Sequence, residues 1–140
     1  MINVKDLMAG NFVKTPIGVV EAYNIINDAI IADTRDICYA KGLEGIPVTE
    51  EILKNIGFEE FEDFPLEGKF LRYWDKDYKY KLDVLRFWTN SEREWHIHVD
   101  NDVCNTIGSG EFTYVHELQN LVRVIAGYNL PITKEMLEDV

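Results

Sequence analysis

The sequence has few cysteines and no long apolar run, and both shortages narrow the class of protein. Cys38 and Cys104 are its two cysteines, and they form no Cys-x-x-Cys pair or other metal-binding spacing. Isolated thiols are typical of small buried hydrophobic residues in a reducing compartment. No apolar stretch approaches the length of a membrane span, and Met1–Asp6 lacks the pattern of a signal peptide. We therefore expect a cytoplasmic protein.

Basic residues are scarce as well. The chain has 14 Lys and Arg residues against 25 Asp and Glu residues, which gives a formal net charge of −11. Binding to nucleic-acid phosphates or to an anionic membrane relies on clustered Lys and Arg side chains. The charge balance therefore argues against nucleic acid and membrane as partners, and it leaves open a basic protein partner.

The common catalytic motifs are missing. His116-Glu117 begins a zinc-protease pattern, but Asn120 occupies the position of the second histidine. Ser109 lies in a Gly-Ser-Gly segment that is typical of a short flexible turn before the last helix, not of a nucleophile elbow. Cys104 has no basic neighbour to activate its thiol, and no glycine-rich phosphate loop is present. We predict no catalytic residue and no cofactor.

An amphipathic segment near the end of the chain is the strongest structural signal that the sequence contains. Residues 113–127 place apolar side chains on one helical stripe, with Thr113 as a possible cap and Gly127 as the end. Thr49 can cap a helix, and the two glutamates after it suit the positive end of the helix dipole. They predict a shorter helix over residues 46–57. A similar apolar-Pro-apolar-Thr pattern at Leu130–Thr133, which we interpret as convergent capping, predicts a third helix over residues 133–139.

Strand-like patterns occupy two other regions. Residues 1–45 contain short apolar runs separated by turn residues, and residues 68–108 alternate between apolar and polar side chains. A change of phase at Val84-Leu85 indicates a bulge or a strand buried on both faces. Residues 1–140 are thus predicted to form a single α+β domain. It consists of an N-terminal small SH3-like bent β-sheet, a short helix and a second antiparallel sheet with a packed C-terminal amphipathic helix.

His96, His98 and Asp100 are the candidates for a metal site. Side chains alternate along a strand, so these three share one face. Two imidazoles and a carboxylate can hold zinc or iron, with a fourth ligand from His116 or Cys104. The alternative is an amphipathic strand with its polar face in water. We favour that alternative, because His-x-His alone lacks the remaining ligand spacing.

Two polar segments are candidates for contact with a protein partner. The polar face of the C-terminal helix carries His116, Gln119, Asn120 and Arg123, a pattern that is equally typical of a solvated helix surface. The acidic run at residues 59–63 lies among phenylalanines and is either a docking site for a basic protein or a solvated loop with aromatic anchors, which we favour. A ligand pocket between the sheets is a further alternative, and its walls would be Tyr78, Tyr80, Trp88 and Trp95.

Three sequence blocks resemble a known family. Asp6–Val13 has the form L-x-x-G-N-x-V, Ile46–Leu53 followed by Gly57-Phe58 has the form I-P-L-T-E-E-x-L…G-F, and Tyr114–Leu121 has the form Y-V-H-x-L-Q-N-L. Together they resemble small uncharacterised proteins of phages, prophages and mobile elements of gut bacteria. The resemblance implies a cytoplasmic accessory protein and brings no activity. The sequence as a whole predicts a non-catalytic protein that binds another protein or a second copy of itself.

Overall fold

The two strand-rich regions form two antiparallel sheets in the computed structural model, which describes residues 2–62, 68–75, 79–87, 95–103 and 105–138. The first sheet is β1 (Phe12–Thr15), β2 (Gly18–Ile26), β3 (Ala29–Ala32) and β4 (Ile37–Tyr39). The second is β5 (Glu59–Glu60), β6 (Gly68–Trp74), β7 (Tyr80–Phe87), β8 (Trp95–Asn101) and β9 (Thr106–Phe112). The described helices are α1 (Glu50–Ile56), α2 (Val115–Ala126) and α3 (Glu135–Glu138). This arrangement confirms the predicted α+β class.

The first sheet is bent along β2. The first half of this strand pairs with β1 and the second half pairs with β3, and the register shifts between Ala22 and Asn24. Because a bulge bends a strand and increases its twist, the sheet curls around a small core of its own. Val13, Val20 and Ile30 are fully or almost fully buried in that core. The predicted bent, SH3-like sheet is confirmed.

Strand β7 lies between β6 and β8 in the second sheet. Its register with both neighbours is continuous through Val84 and Leu85. Of the two alternatives at that point, the bulge is therefore the wrong prediction. Val84 is fully buried on one face, and Leu85 is half-buried on the other, level with the buried Phe70. The change of phase in the apolar pattern therefore reflects burial on both faces of the strand.

Helix α2 packs closely over β9, and this contact explains a wrong prediction. Gly108, Ser109 and Gly110 lie inside β9, not in a turn. A Cβ atom on Gly108 would lie 2.6 Å from Ile125 Cγ2, and one on Gly110 would lie 2.7 Å from Leu121 Cδ2. The two glycines are therefore needed for the close approach of the helix rather than for a turn.

The first helix begins at Glu50, not at residue 46 as predicted, because Thr49 caps it. The residues that end or cap the helices otherwise follow the sequence with one exception. Thr49 Oγ1 accepts a hydrogen bond from Ile52 N at 3.2 Å, and Gly57 and Gly127 end α1 and α2 with positive φ angles. Thr113 does not cap α2. Instead Glu117 Oε1 accepts hydrogen bonds from the backbone N–H groups of Thr113 and Tyr114, at 3.0 and 2.9 Å. The carboxylate also lies in the first turn, where the helix dipole favours a negative charge.

Candidate functional site

The polar face of α2 contacts the first sheet. Gln119 Oε1 accepts a hydrogen bond from Phe12 N at 3.0 Å, and Gln119 Nε2 donates one to the carbonyl of Gly10 at 3.1 Å. The amide therefore pairs with the backbone at the start of β1 as a neighbouring strand would. The helix thus binds the second sheet through its apolar stripe and the first sheet through its polar stripe.

A second amide pair extends this contact. Asn11 is 2% exposed, and its Nδ2 donates a hydrogen bond to Asn120 Oδ1 at 2.9 Å. Its Oδ1 accepts one from Met8 N at 2.8 Å, and Asn120 Nδ2 donates to the carbonyl of Asp6 at 2.9 Å. Because removing one partner would leave a buried amide unpaired, this network fixes the N-terminal segment on α2.

His116 does not lie on a solvated helix surface. It is buried, its ring stacks on that of Tyr114 with 5.8 Å between centroids, and its Nδ1 has no hydrogen-bond partner among the described residues. Burial lowers the pKa of His116, while the negative charges of Glu117 and Asp6 oppose that shift. Burial therefore favours the neutral form of the imidazole.

Arg123 reaches into a polar pocket of about 210 Å³ between β1, β2, α2 and the segment after α2. Its Nε donates a hydrogen bond to Asn129 Oδ1 at 3.0 Å, and its Nη2 would lie 3.5 Å from a Cβ atom on Gly10. Glu21 of β2 lines the same pocket. Burial raises the pKa of Glu21 and the neighbouring Asp33 raises it further, whereas Lys134 lowers it. We call this cavity the polar pocket.

The four predicted partner-binding residues thus have different surroundings. Gln119 and Asn120 use their amides within the chain, His116 is buried, and Arg123 alone directs a charged group into a cavity. Periodicity correctly placed the four on one face, but it could not show that this face meets the first sheet. Their role in binding a partner stays a prediction.

The candidate metal ligands lie where alternation places them, on the face of β8 opposite the buried Trp95, Ile97 and Val99. Asp100 is 3.2 Å from Lys81 Nζ and accepts a hydrogen bond from Thr106 at 2.8 Å, and His96 Nδ1 is 3.5 Å from a Glu111 oxygen. Within the described ranges, no three His, Cys, Asp or Glu side chains form a group that could hold a metal ion. Cys104, one proposed fourth ligand, lies outside those ranges. The metal alternative stays a prediction.

The aromatic residues proposed as pocket walls have structural contacts. Trp95 is 2% exposed and its Nε1 donates a hydrogen bond to the carbonyl of Val48, while Tyr80 stacks on Tyr128 with 6.2 Å between centroids. Tyr78 and Trp88 lie outside the described residues. Trp95 and Tyr80 therefore belong to the packing of the second sheet.

Part of the acidic run is a strand, not a loop. Glu59 and Glu60 form β5, and Glu60 pairs with Lys69 of the adjacent strand. Arg72 lies over the ring of Phe61, 4.2 Å from its centroid. Asp63 and Phe64 are outside the described residues. Glu59 and Glu60 are thus exposed to solvent but belong to the sheet.

An apolar cleft in the first sheet was not predicted. It lies between the tip of the β1–β2 hairpin and β4, has a volume of about 550 Å³, and is lined mainly by apolar side chains with Asp36 and Lys41 among them. Ile17, Ile37 and Tyr39 line it and are 66%, 61% and 62% exposed. We call it the edge cleft, because β4 is the last strand of its sheet. The sequence signal that could have indicated this cleft was the apolar run of β4, which comes at the end of a four-strand pattern.

Comparison with protein-family models, curated proteins and solved structures finds no match to this chain. Among the helices of the described ranges, none has the length and apolar composition that a membrane crossing requires.

Proposed function

We propose that the chain is a non-catalytic interaction protein that binds another protein at the edge cleft, as an accessory protein of a phage or mobile element. The observation that carries this proposal is the exposure of Ile17, Ile37 and Tyr39 around one concavity. Large apolar side chains grouped on a surface are typical of protein-binding sites. A partner that covers them would gain the free energy of apolar burial.

The backbone of β4 supports this assignment. Asp36 accepts a hydrogen bond from Ala32 N and Ala40 donates one to the carbonyl of Asp28, so residues 36, 38 and 40 direct their backbone groups at β3. Backbone N–H and C=O groups alternate in direction along an antiparallel strand, so those of Ile37 and Tyr39 point away from the sheet. An extended segment of a partner can therefore add to β4 through backbone hydrogen bonds while its side chains enter the cleft.

The family resemblance supports the accessory role only indirectly. Two of its blocks meet in the fold, because Asn11 of the first block bonds Gln119 and Asn120 of the third. These residues have a structural role in the contact between α2 and the first sheet. Their presence in the resembling blocks therefore indicates a shared fold rather than a shared activity. The formal net charge of −11 favours a basic partner and binding that weakens as salt increases.

The proposal is tested by comparing two matched surface substitutions. Ile37→Asp places a charge in the edge cleft, and Val124→Asp places one on the outer side of α2, where Val124 is 72% exposed. Each tagged variant is used to capture proteins from lysates of the organism that encodes the chain, and the captured proteins are quantified by mass spectrometry. Circular dichroism and thermal unfolding check that both variants are folded.

We expect a partner that the unsubstituted protein and Val124→Asp both retain, and that Ile37→Asp loses by about tenfold or more, since one buried apolar anchor contributes over 1 kcal/mol. Equal retention by Ile37→Asp would show that the edge cleft is not the binding surface.

A further inference from the structure

The polar pocket contains two opposite charges that are not paired with each other. Among the described residues, neither the guanidinium of Arg123 nor the carboxylate of Glu21 takes part in an ion pair, although both line the pocket. Arg123 uses one N–H group, on Asn129, which leaves the paired N–H groups at its tip for a ligand. A planar guanidinium binds a carboxylate through two parallel hydrogen bonds.

Among the described residues Glu21 forms no ion pair, because the nearby lysine bonds a different carboxylate. Lys134 Nζ bonds Asp33 Oδ2 at 3.1 Å, and Asp33 Oδ1 accepts a hydrogen bond from the backbone N–H of Glu21 at 3.0 Å. Glu21 is therefore a partly buried carboxylate beside a second carboxylate, and burial and Asp33 raise its pKa against the opposing effect of Lys134. A cation placed next to Glu21 would relieve both effects.

The walls of the pocket are fixed before any ligand binds. The hydrogen bonds of Gln119 and Asn120 hold Gly10 and Asn11 against α2, and Arg123 is held by Asn129. The buried Leu130 and the partly buried Ile132 supply apolar surface beside these groups. Because a pre-formed site loses little conformational entropy on binding, such a pocket can bind a small molecule with useful affinity.

We propose that the polar pocket binds a small zwitterion, an α-amino acid, whose carboxylate pairs with Arg123 and whose ammonium group pairs with Glu21. The volume of about 210 Å³ lies below the roughly 300 Å³ at which drug-sized ligand sites begin, which limits the occupant to a molecule of this size. The apolar wall at Leu130 and Ile132 suits an aliphatic side chain. This inference is independent of the edge cleft and adds a ligand to the proposed interaction role.

The first experiment is saturation-transfer difference NMR on the full chain with the twenty common amino acids, followed by titration calorimetry of those that bind. Acetate and methylammonium serve as half-ligands that each satisfy one charge. We expect at least one amino acid to bind, both half-ligands to bind at least about tenfold more weakly, and binding to weaken as acid protonates Glu21. Absence of binding by every amino acid would overturn the proposal, and so would acetate binding as tightly as the amino acid.

The second experiment removes each charge in turn. Glu21→Gln and Arg123→Gln should each weaken binding by about tenfold or more, because a charge-assisted hydrogen bond is lost. Glu51→Gln, on the exposed side of α1, should leave it unchanged. Arg123→Lys keeps the charge but not the two-pronged geometry and should also weaken binding, which provides a second test if Arg123→Gln does not fold. Unchanged binding in Glu21→Gln and in the folded Arg123 variants would overturn the proposal.

Discussion

Gln119 accepts a hydrogen bond at 3.0 Å from the backbone N–H of Phe12, a residue more than a hundred positions earlier in the chain. Together with the bond to the carbonyl of Gly10, this contact makes a helix side chain act as a strand neighbour at the edge of the first sheet. The relative position of the two sheets therefore depends in part on one amide.

Replacing Gln119 by Leu should destabilise the protein by about 1–3 kcal/mol, because the Gly10 and Phe12 backbone groups would lose their partner away from water. Urea denaturation followed by circular dichroism measures the free energy of unfolding. Asn55→Leu, which also replaces an amide on the exposed face of α1, should stay within about 0.5 kcal/mol of the unsubstituted protein. A Gln119→Leu variant as stable as that control would show that the amide contact has no structural role.

Gly108→Ala should destabilise the protein by about 1–3 kcal/mol, because the new methyl group would press on Ile125 Cγ2 at 2.6 Å. Ser109→Ala, on the exposed face of β9, is the matched control. Ile125→Ala in the Gly108→Ala background should cost less than it does alone, since it makes room for the methyl group. Additive effects in this double-mutant cycle would argue against close packing of α2 on β9.

Stability should fall as the pH is lowered from about 7 to 5, in part because of His116. Burial lowers the pKa of His116 below its ordinary value of 6.5, so in this range the unfolded chain binds more protons than the folded chain. The free energy of unfolding therefore decreases with falling pH, and above about pH 7 the residue contributes no pH dependence. His116→Phe keeps the ring stacked on Tyr114 and should flatten the curve between pH 5 and 7. An equally steep curve in the variant would show that His116 is not held neutral.

Tyr128→Phe should leave stability unchanged or increase it by up to about 1 kcal/mol. The hydroxyl of Tyr128 is buried without a hydrogen-bond partner among the described residues, and burial raises its pKa. Removing an unpaired polar atom therefore removes a desolvation cost while the ring stays stacked on Tyr80. Thermal unfolding measures the stability of the variant relative to the unsubstituted protein. A clear loss of stability would show that the hydroxyl makes a hydrogen bond.

Local signals in the sequence predicted much of the fold. Thr49 and Gly57 bound α1, Gly127 ends α2, and the alternation through β8 separates His96 and His98 from the buried Trp95 and Ile97, because each depends only on neighbouring residues. Contacts between distant residues could not be predicted in this way. In its local sequence Gly108 resembles a turn residue. Glycine is needed there because a Cβ atom would press on Ile125, which lies on a different element.

The candidate sites show the same limit. Periodicity placed Gln119, Asn120 and Arg123 on one face, but only the fold shows that two of them bond the first sheet while Arg123 enters a pocket with Glu21. The edge cleft likewise depends on the curl that brings Ile17 of one hairpin beside Ile37 and Tyr39 of β4. Neither arrangement leaves a spacing pattern in the sequence.

Photo-crosslinking tests the edge cleft most directly. Benzoylphenylalanine is placed at Tyr39, which is 62% exposed in the cleft, or at Tyr23, which is 61% exposed on β2 and does not line the cleft. After irradiation in the native cells, we predict a covalent adduct with another protein from position 39 and none of that mass from position 23. The same adducts from both positions, or no adduct from position 39, would contradict the proposed docking surface.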